Sequence, residues 1–404
     1  NDVQDVSASL CPTSGSMLTV ADGWRFEAEA RGLDAQAPFL GMAVSDATAH
    51  LVTRDPGGRL GLTADIRTGL VSDMAAEPRF HPLRGHGQIA LADDTWTGHL
   101  QLNERSVGHR VMDVDIRHSG RSGAGGVRLD ATGLTFAPQA LQPSQITPLA
   151  ETFVRSPVTG TADFTGHIDW TGQGLTSGGR FVTPGLDFVS PLGPVQQMRG
   201  EVTFLSLVPL VTAADQHMTV SRINAFVPLT DVTVNLGLDA NTLHVAGTRV
   251  AVAGGFVTLE PADIPFDPSQ SWEGVLVLDR VQLGDLFAAS SFADAVQLDA
   301  VVSGRLPFIY GPNGLTIVGG SVHSGQPGRL SIARSALTGM TAGGGGEQVP
   351  PSTVQDFAYQ ALEHLSFSHL NAELNSLPQG RLGVLFTING RHDPPIEQEI
   401  RLSI

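Results

Sequence analysis

The stretch Arg381-Leu-Gly-Val-Leu-Phe-Thr-Ile-Asn389 shows the pattern that decides the fold. Every second residue in it is apolar, and this set consists of Leu382, Val384, Phe386 and Ile388. The residues between them are small or polar, and Leu385 is the one exception. A period of two puts the two sets on opposite faces of a β-strand. The sequence therefore predicts a strand with one apolar face, followed after a turn by a last strand that reaches Ile404.

The same alternation recurs along the whole chain. It is seen, for example, in the segments that begin at Trp24, Met112 and Val232. The 47 glycines and 25 prolines fall mainly between such segments, which is typical of many short strands joined by turns. We therefore predict an all-β protein with roughly twenty strands and two or three short helices. The strands show no fixed-length repeat, which argues against a propeller or a regular solenoid.

The chain divides into four predicted segments. In chain order they are a strand-rich segment at 1–142, a second one at 143–340 with short helices near 144–153 and 283–292, a Gly/Pro-rich loop at 341–353, and a segment at 354–404 that holds an amphipathic helix up to Leu365 and the C-terminal strands. Ser144 is the predicted N-cap of the first short helix. The loop contains four consecutive glycines, Gly343 to Gly346, and we expect it to be mobile.

The large number of strands with one apolar face raises the question of what covers these faces. Open sheets of more than about ten strands curl, split or close. Two or three short helices are too few to cover a sheet of this size. The apolar face is therefore buried either by the sheet curling over itself or by an apolar filler that is not protein.

Charge and composition exclude several classes of function. The net charge is −16, and all 24 basic residues are arginine. Because there is no basic stripe, nucleic acid and anionic bilayer surfaces are unfavourable partners. One cysteine, Cys11, rules out an internal disulfide and a cysteine-based zinc site. No run of about 18 apolar residues occurs, so a transmembrane helix is not predicted within the sequence. It begins and ends inside strand-like sequence, and we expect it to be part of a longer chain.

The patterns that catalysis requires are weak. His81 and His86 flank a short loop without a third ligand nearby, and a solvated loop explains them better than a metal site does. Asp113 and Asp115 alternate on one strand in the way expected of a polar outer face. Gly343 to Gly346 lack the Lys-Ser or Lys-Thr of a phosphate-binding loop. We therefore predict no catalytic residue, no metal and no cofactor.

From Ser144 onward the chain carries a series of short motifs. In order they are Gly185-Leu-Asp-Phe188, Gly200-Glu-Val-Thr-Phe-Leu-Ser-Leu207, Gly254-Gly-Phe-Val257, Gly304-Arg-Leu-Pro307, Gly319-Gly-Ser321 with Pro327-Gly-Arg329, Leu377-Pro-Gln-Gly-Arg-Leu382 and Ile388-Asn-Gly-Arg391. Their order and spacing resemble those of the YdbH-type intermembrane phospholipid transport proteins, which are AsmA-like members of the bridge-like lipid-transfer superfamily of Gram-negative bacteria. The first 140 or so residues resemble the family only in that they continue the same β pattern.

The resemblance implies a long, curved, antiparallel-rich sheet that forms an elongated hydrophobic groove, a β-taco. Such a protein would span the periplasm and move phospholipids between the inner and outer membranes, with the acyl chains inside the groove. It would be anchored in the inner membrane by an N-terminal helix that this sequence lacks. At its C-terminal end it would meet a small outer-membrane lipoprotein that continues the sheet by strand addition. The family offers no catalytic residues to carry over.

Two sets of candidate residues follow from the alternation and the resemblance. The predicted lipid-binding lining consists of Phe164, Ile168, Trp170, Val202, Phe204, Val232, Val234, Leu236, Leu276, Leu278, Leu382, Val384, Phe386 and Ile388. The predicted partner-binding edge strand presents Ile396, Gln398, Ile400, Leu402 and Ile404. Two alternatives remain open at this point. One is a closed β-sandwich or adhesin-like structural module without lipid cargo, and the other is a soluble lipid-shuttling carrier.

Overall fold

The computed structural model describes residues 7–20, 23–55, 59–151, 154–190, 193–214, 216–224, 228–267, 269–288, 296–332, 365–378, 381–392 and 398–403. Most of these residues lie in antiparallel β-strands, so the all-β class predicted from the alternation is confirmed. The described strands are divided between two sheets. The chain also divides into two compact units. The first consists of Asn1–Pro191, Val195–Met218 and Gly237–Asn241, and the second of the remaining residues.

The first sheet has sixteen strands. They are β1 (Ser7–Val20), β2 (Gly23–Ala37), β3 (Met42–Arg54), β4 (Gly61–Asp73), β5 (Leu83–Ala92), β6 (Thr95–Asn103), β7 (Arg110–Ser119), β8 (Gly125–Phe136), β9 (Arg155–Thr171), β10 (Gly174–Ser190), β11 (Gly193–Leu207), β12 (Leu210–Thr212), β13 (Gln216–Asn224), β14 (Pro228–Asp239), β15 (Thr242–Val245) and β18 (Ala262–Pro265). From β1 to β12 each strand lies next to the one that follows it in the chain. This meander needs only short connections, in agreement with the turn residues between the periodic segments.

The second sheet has eleven strands. They are β16 (Thr248–Val252), β17 (Gly255–Leu259), β19 (Trp272–Gln282), β20 (Val296–Asp299), β21 (Val301–Gly311), β22 (Gly314–Ile317), β23 (Gly320–Ser324), β24 (Gly328–Ile332), β25 (Leu365–Leu377), β26 (Arg381–His392) and β27 (Gln398–Ser403). The strand order is β16-β17-β19-β21-β23-β25-β24-β20, and β26 pairs with β25 and β27.

The passage from the first sheet to the second occurs within residues 242–252. In this stretch β15 pairs with β18 in the first sheet and β16 pairs with β17 in the second. Gly247 lies between them with φ 109°, a backbone conformation that interrupts extended pairing. The apolar positions change phase across this glycine, from Leu243 and Val245 before it to Val250 and Val252 after it, so the pattern itself marks the change of sheet.

Helices are few and short in the described part of the chain. They are α1 (Pro143–Ile146) and α2 (Leu283–Ala288), with 3-10 turns at Pro38–Leu40 and Pro148–Ala150. The N-cap of α1 is Gln142, so the prediction of Ser144 is wrong. Pro143 takes the first helical position because its fixed φ suits that site and no backbone donor is lost there. The Gln142 N–H donates to the Gln145 side chain at 2.8 Å.

Several predicted segments fall outside the described residues. These include the loop at 341–353, the helix from residue 354 to 364 and the far part of the second short helix, 289–292. Leu365, the predicted last residue of the amphipathic helix, is the first residue of β25. Residues 142 and 143 mark no change of sheet, because β8 and β9 on either side of them pair with each other.

Candidate functional site

One face of the first sheet carries continuous rows of small and apolar side chains. Residues directly opposite each other on neighbouring antiparallel strands share a face, so the register defines the rows. One row contains Leu51, Ala64, Ile89, Gly98, Ile116, Val127, Ile168 and Ser177. A second contains Ala49, Ile66, Gly87, Leu100, Val114, Leu129, Gly166 and Gly179. We call this surface the apolar face of the first sheet.

The opposite face is polar and is crossed by ion pairs between neighbouring strands. Arg128 Nη1 lies 2.9 Å from Asp169 Oδ1, and His99 Nδ1 lies 2.8 Å from Asp115 Oδ1. Asp113, the other carboxylate considered in the sequence, lies 2.7 Å from Arg110 Nη2. His86 lies in β5 rather than in a loop. Among the described residues, no group of three or more His, Cys, Asp or Glu side chains could hold a metal ion.

The predicted lining residues divide by exposure into two groups. Five are buried, and these are Ile168, Trp170, Val202, Val232 and Ile388, with at most 8% of their surface exposed. Seven are half-buried, and these are Phe164, Phe204, Val234, Leu236, Leu276, Leu278 and Val384. The side chains of Leu382 and Phe386 lie outside the description. The first group belongs to the core, whereas the second group keeps apolar surface that could accept a ligand.

Trp170 shows why part of the apolar face is core. Its ring packs edge-on against Phe39, with the ring centroids 5.5 Å apart, and its Nε1–H donates to His118 Nδ1 at 3.3 Å. Phe39 lies in the turn before β3, and six strand-to-strand steps separate β3 from β9. Six steps across a flat sheet would measure about 29 Å. The first sheet therefore curls until its apolar face meets itself.

A second contact closes the same curl. The Arg79 side chain binds the Asp73 carboxylate through Nε at 2.7 Å and Nη2 at 3.0 Å, and its Nη1 donates to the Leu207 carbonyl at 3.4 Å. The Asp73 side chain is completely buried. Burial alone would raise the pKa of Asp73, but hydrogen bonds from Arg79 and from the Ala75 N–H, together with the charge of Arg79, lower it overall. Arg79 thus joins the β4–β5 loop to the end of β11.

Glu104 is a buried carboxylate that the sequence analysis missed. It is 2% exposed and lies in the turn between β6 and β7. Burial raises its pKa, but the Ser106 hydroxyl and the N–H groups of Ser106, Val107 and Gly108 donate to it and lower the pKa to about 2. Four donors within five residues make Glu104 the centre of the turn, so its role is structural.

The second sheet also has an apolar face that is continuous in register. One row contains Val250, Val257, Leu278, Gly304, Val322, Ala372 and Phe386. Leu276 lies opposite Leu259 and Leu306, and Val384 lies opposite Leu374. The predicted residues Leu276, Leu278 and Val384 therefore lie on one face of this sheet. Leu385, the exception in the sequence pattern, is 48% exposed.

The last strand lies at an edge of the second sheet. β27 pairs with β26, with Ile400 opposite Gly390 and Leu402 opposite Ile388. Within the described part of the chain, β27 pairs with no other strand. Ile396 and Ile404 lie outside the described residues, as do the side chains of Gln398, Ile400 and Leu402.

The structure adds half-buried residues that the predicted lining omitted. They are Leu51, Ile66, Ile89, Leu91, Ile116, Leu129 and Phe181. Most lie on strands before residue 142, where alternation was recognised but no lining was assigned. The sequence feature that could have identified them is the alternation of apolar residues. Only the strand register shows that they share the face of Phe164 and Ile168.

Comparisons with known proteins give one match. A family model described as "YdbH-like: Intermembrane phospholipid transport protein YdbH" matches residues 18–404. The match thus includes most of the N-terminal segment, which the sequence motifs left unassigned. Neither a curated protein nor a solved structure matches the chain. In the described residues, no helix is both long and apolar enough to cross a bilayer.

Proposed function

The chain belongs to the YdbH-like family of intermembrane phospholipid transport proteins, and on this basis we propose that it is a bridge-like carrier of phospholipids between the inner and outer membranes. It acts in the periplasm of a Gram-negative bacterium. Acyl chains move along the apolar faces of the two sheets, while head groups stay in contact with water. The carrier requires no catalytic residue and no cofactor.

The observation that carries this proposal is the row of half-buried apolar side chains on each sheet. In a protein with a dry, filled core, residues such as Phe164, Phe204 and Leu278 would be fully buried. Here each keeps part of its surface exposed. Burying apolar surface yields about 25 cal/mol per Å² without any directional bond. A row of such residues can therefore hold an acyl chain at many equivalent positions, which is what sliding requires.

Two further parts of the proposal concern the ends of the carrier. β27 offers an edge to which a small outer-membrane lipoprotein adds a strand, because backbone donors and acceptors on an unpaired edge bind another chain in this way. The added strand would continue both the sheet and its apolar face. The inner-membrane contact would be an N-terminal helix, as the family resemblance implies.

One observation favours the structural-module alternative in part of the first unit. Phe39 and Trp170 fill the inside of the curl with protein side chains. If that packing extended along the whole apolar face, no room would remain for lipid. The half-buried residues on β3 to β10 argue against such complete filling. The shuttle alternative differs from the bridge only in whether lipid can leave at both ends.

The test is lipid extraction and mass spectrometry on the purified protein, combined with photocrosslinking. Benzoylphenylalanine at Phe164 should crosslink to phospholipid. The same group at Thr165 should not, because Thr165 is the adjacent residue on the polar face and is exposed. Protein free of phospholipid, or equal crosslinking at both positions, would reject the lipid-carrier function.

A further inference from the structure

The end of the hairpin of β21 and β22, from Leu306 onward, exposes apolar side chains and contains no charged residue. No charged residue occurs between Leu306 and Val322, although 16% of the chain is charged. Within this stretch Ile309 is 36% exposed, Leu315 47% and Val318 51%. Exposed apolar residues close together in an uncharged hairpin end indicate a surface that is covered in the working protein.

Aromatic residues stand beside this hairpin. Trp272 lies opposite Tyr310 in register, and Tyr310 lies opposite Leu315, so the three form one row across β19, β21 and β22. The Trp272 ring packs edge-on against Phe308, with centroids 5.2 Å apart, and lies 5.9 Å from Tyr310. The row is the last one of the apolar face before the Gly311–Gly314 turn, so the apolar face reaches the end of the strands here.

The neighbouring hairpin of β25 and β26 contributes residues to the same end of the sheet. The Ile317 N–H donates to Ser376 Oγ at 2.9 Å and the Gly319 N–H to Asn375 Oδ1 at 2.7 Å, which holds the β22–β23 connection against β25. The next residue of β25, Leu377, is 45% exposed at the turn into β26. We call this end of the sheet, with Trp272, Tyr310 and Leu315 on its apolar face and Val318 and Leu377 on its other face, the hairpin tip.

We propose that the hairpin tip docks on the surface of a zwitterionic phospholipid bilayer. Leucine and valine at a turn enter the boundary of the acyl region at low cost when no charge accompanies them. Tryptophan and tyrosine favour the same boundary, because their rings are apolar and their N–H or O–H groups stay in water. The chain has no lysine, so attraction to anionic lipid does not contribute.

A bilayer fits this surface better than another protein chain does. The backbone of β22 is already paired with β21, and its other side is held by Ser376, so strand addition has little free edge here. Leu315 and Leu377 are strand residues next to turns and Val318 lies in the β22–β23 connection, so all three stand at or beside a turn that can enter a fluid surface. Docking of the hairpin tip adds a membrane contact to the proposed function. It rests on the proposed function only in that lipid would pass at this point.

The first test is flotation of the whole chain with phosphatidylcholine vesicles. The unchanged protein should float with the vesicles, and the Leu315→Asp, Val318→Asp double variant should lose binding about tenfold or more. Leu385→Asp is the matched control, because Leu385 is 48% exposed but lies on the polar face of β26, and it should float like the unchanged protein. Equal flotation of all three, or no flotation of the unchanged protein, would overturn the proposal.

A second readout locates the contact and separates the two proposals. Brominated phosphatidylcholine should quench the part of the tryptophan emission that is lost in Trp272→Phe. Protein without bound phospholipid that still floats through the hairpin tip would remove the carrier function and leave the docking. Lipid-loaded protein that floats equally well with and without the two substitutions would keep the carrier function and remove the docking. A dimer in vesicle-free sedimentation that the double variant abolishes would assign the surface to a second copy and overturn bilayer docking.

Discussion

Phe39 packs edge-on against Trp170 at 5.5 Å between ring centroids, although the two residues belong to parts of the first sheet that are six strands apart. The contact is possible only because the sheet curls with its apolar face inside. Arg79 and Leu207 make a second contact of this kind, so an aromatic pair and a charged residue both contribute to holding the curl. These contacts determine how much of the apolar face is closed and how much stays accessible.

Loss of the aromatic contact should loosen the curl. Trp170→Ala removes a residue that is 5% exposed and should lower the free energy of unfolding by about 3–5 kcal/mol. Phe39→Ala should cost less, because Phe39 is only partly buried. Urea unfolding of both single variants and the double variant measures the coupling, which we expect to be about 0.5–1.5 kcal/mol. Strictly additive effects would show that the two rings do not stabilise each other.

Removal of Arg79 should be costly because it leaves a buried carboxylate unpaired. Arg79→Leu should destabilise the protein by roughly 3–5 kcal/mol, since the completely buried Asp73 side chain loses its partner. Arg128→Leu is the control, because both partners of the Arg128–Asp169 pair are well exposed and such pairs contribute roughly 0–1 kcal/mol. Thermal unfolding at neutral pH compares the two. Similar losses in both variants would contradict the proposed role of Arg79.

Glu104 should make stability depend on acid pH. Its folded pKa of about 2 lies below the usual value of 4.5, so its contribution is complete above pH 4.5 and is lost as the pH falls towards 2. The shift corresponds to about 3 kcal/mol. Denaturation between pH 6 and pH 2.5 should show this loss in the unchanged protein and a smaller one in Glu104→Gln. Parallel pH profiles would mean that Glu104 is not the titrating group.

A charge on the apolar face should block lipid movement. Phe204→Glu and Leu236→Asp place a carboxylate among half-buried apolar side chains, where an acyl chain cannot compensate for its lost hydration. We expect phospholipid transfer to stop while circular dichroism shows a folded protein. Leu205→Glu is the control, because Leu205 follows Phe204 directly but is 62% exposed. Transfer that continues in Phe204→Glu would show that this residue is not part of the lining.

The edge strand should bind its partner through the backbone. Ile400→Pro removes a backbone donor from β27 and bends the strand, so crosslinking of residues 398–403 to the outer-membrane lipoprotein should fall to background. Stability should change little, because the strand is at an edge. Ile400→Val keeps the donor and should crosslink normally. Undiminished crosslinking in the proline variant would rule out strand addition at β27.

Much of the fold could be predicted from the sequence because alternation is a local property. The strands, their apolar faces and the shortage of helices follow from residues two positions apart. Even so, local irregularities change the phase without a clear sequence sign. Between Ala131 and Leu134 the register of β8 shifts, and Gly133 has φ 75°, so the two apolar residues share a face although they are three positions apart.

The predicted lining of β9 and β19 shares one face in register, while its role in holding lipid stays a prediction, and the list omitted other half-buried residues of the same face. Ile168 and Phe164 have the same phase, yet one is buried and the other half-buried. The difference depends on what lies across the curl from each residue, and alternation does not contain that information. The omitted residues of β3 to β8 could have been included, because the register connects every strand of the meander to its neighbour.

The sequence by itself determined that this is an all-β protein with one apolar and one polar face per strand, because side-chain direction in a strand depends only on position parity. It also contained enough motifs to identify the family. Only the tertiary structure decided that the strands form two sheets, that Phe39 meets Trp170, and that Asp73 is buried under Arg79. The first two features depend on the accumulated twist and bulges of many strands, which bring Phe39 and Trp170 together although they are more than a hundred positions apart, and the burial of Asp73 depends on the packing around its loop.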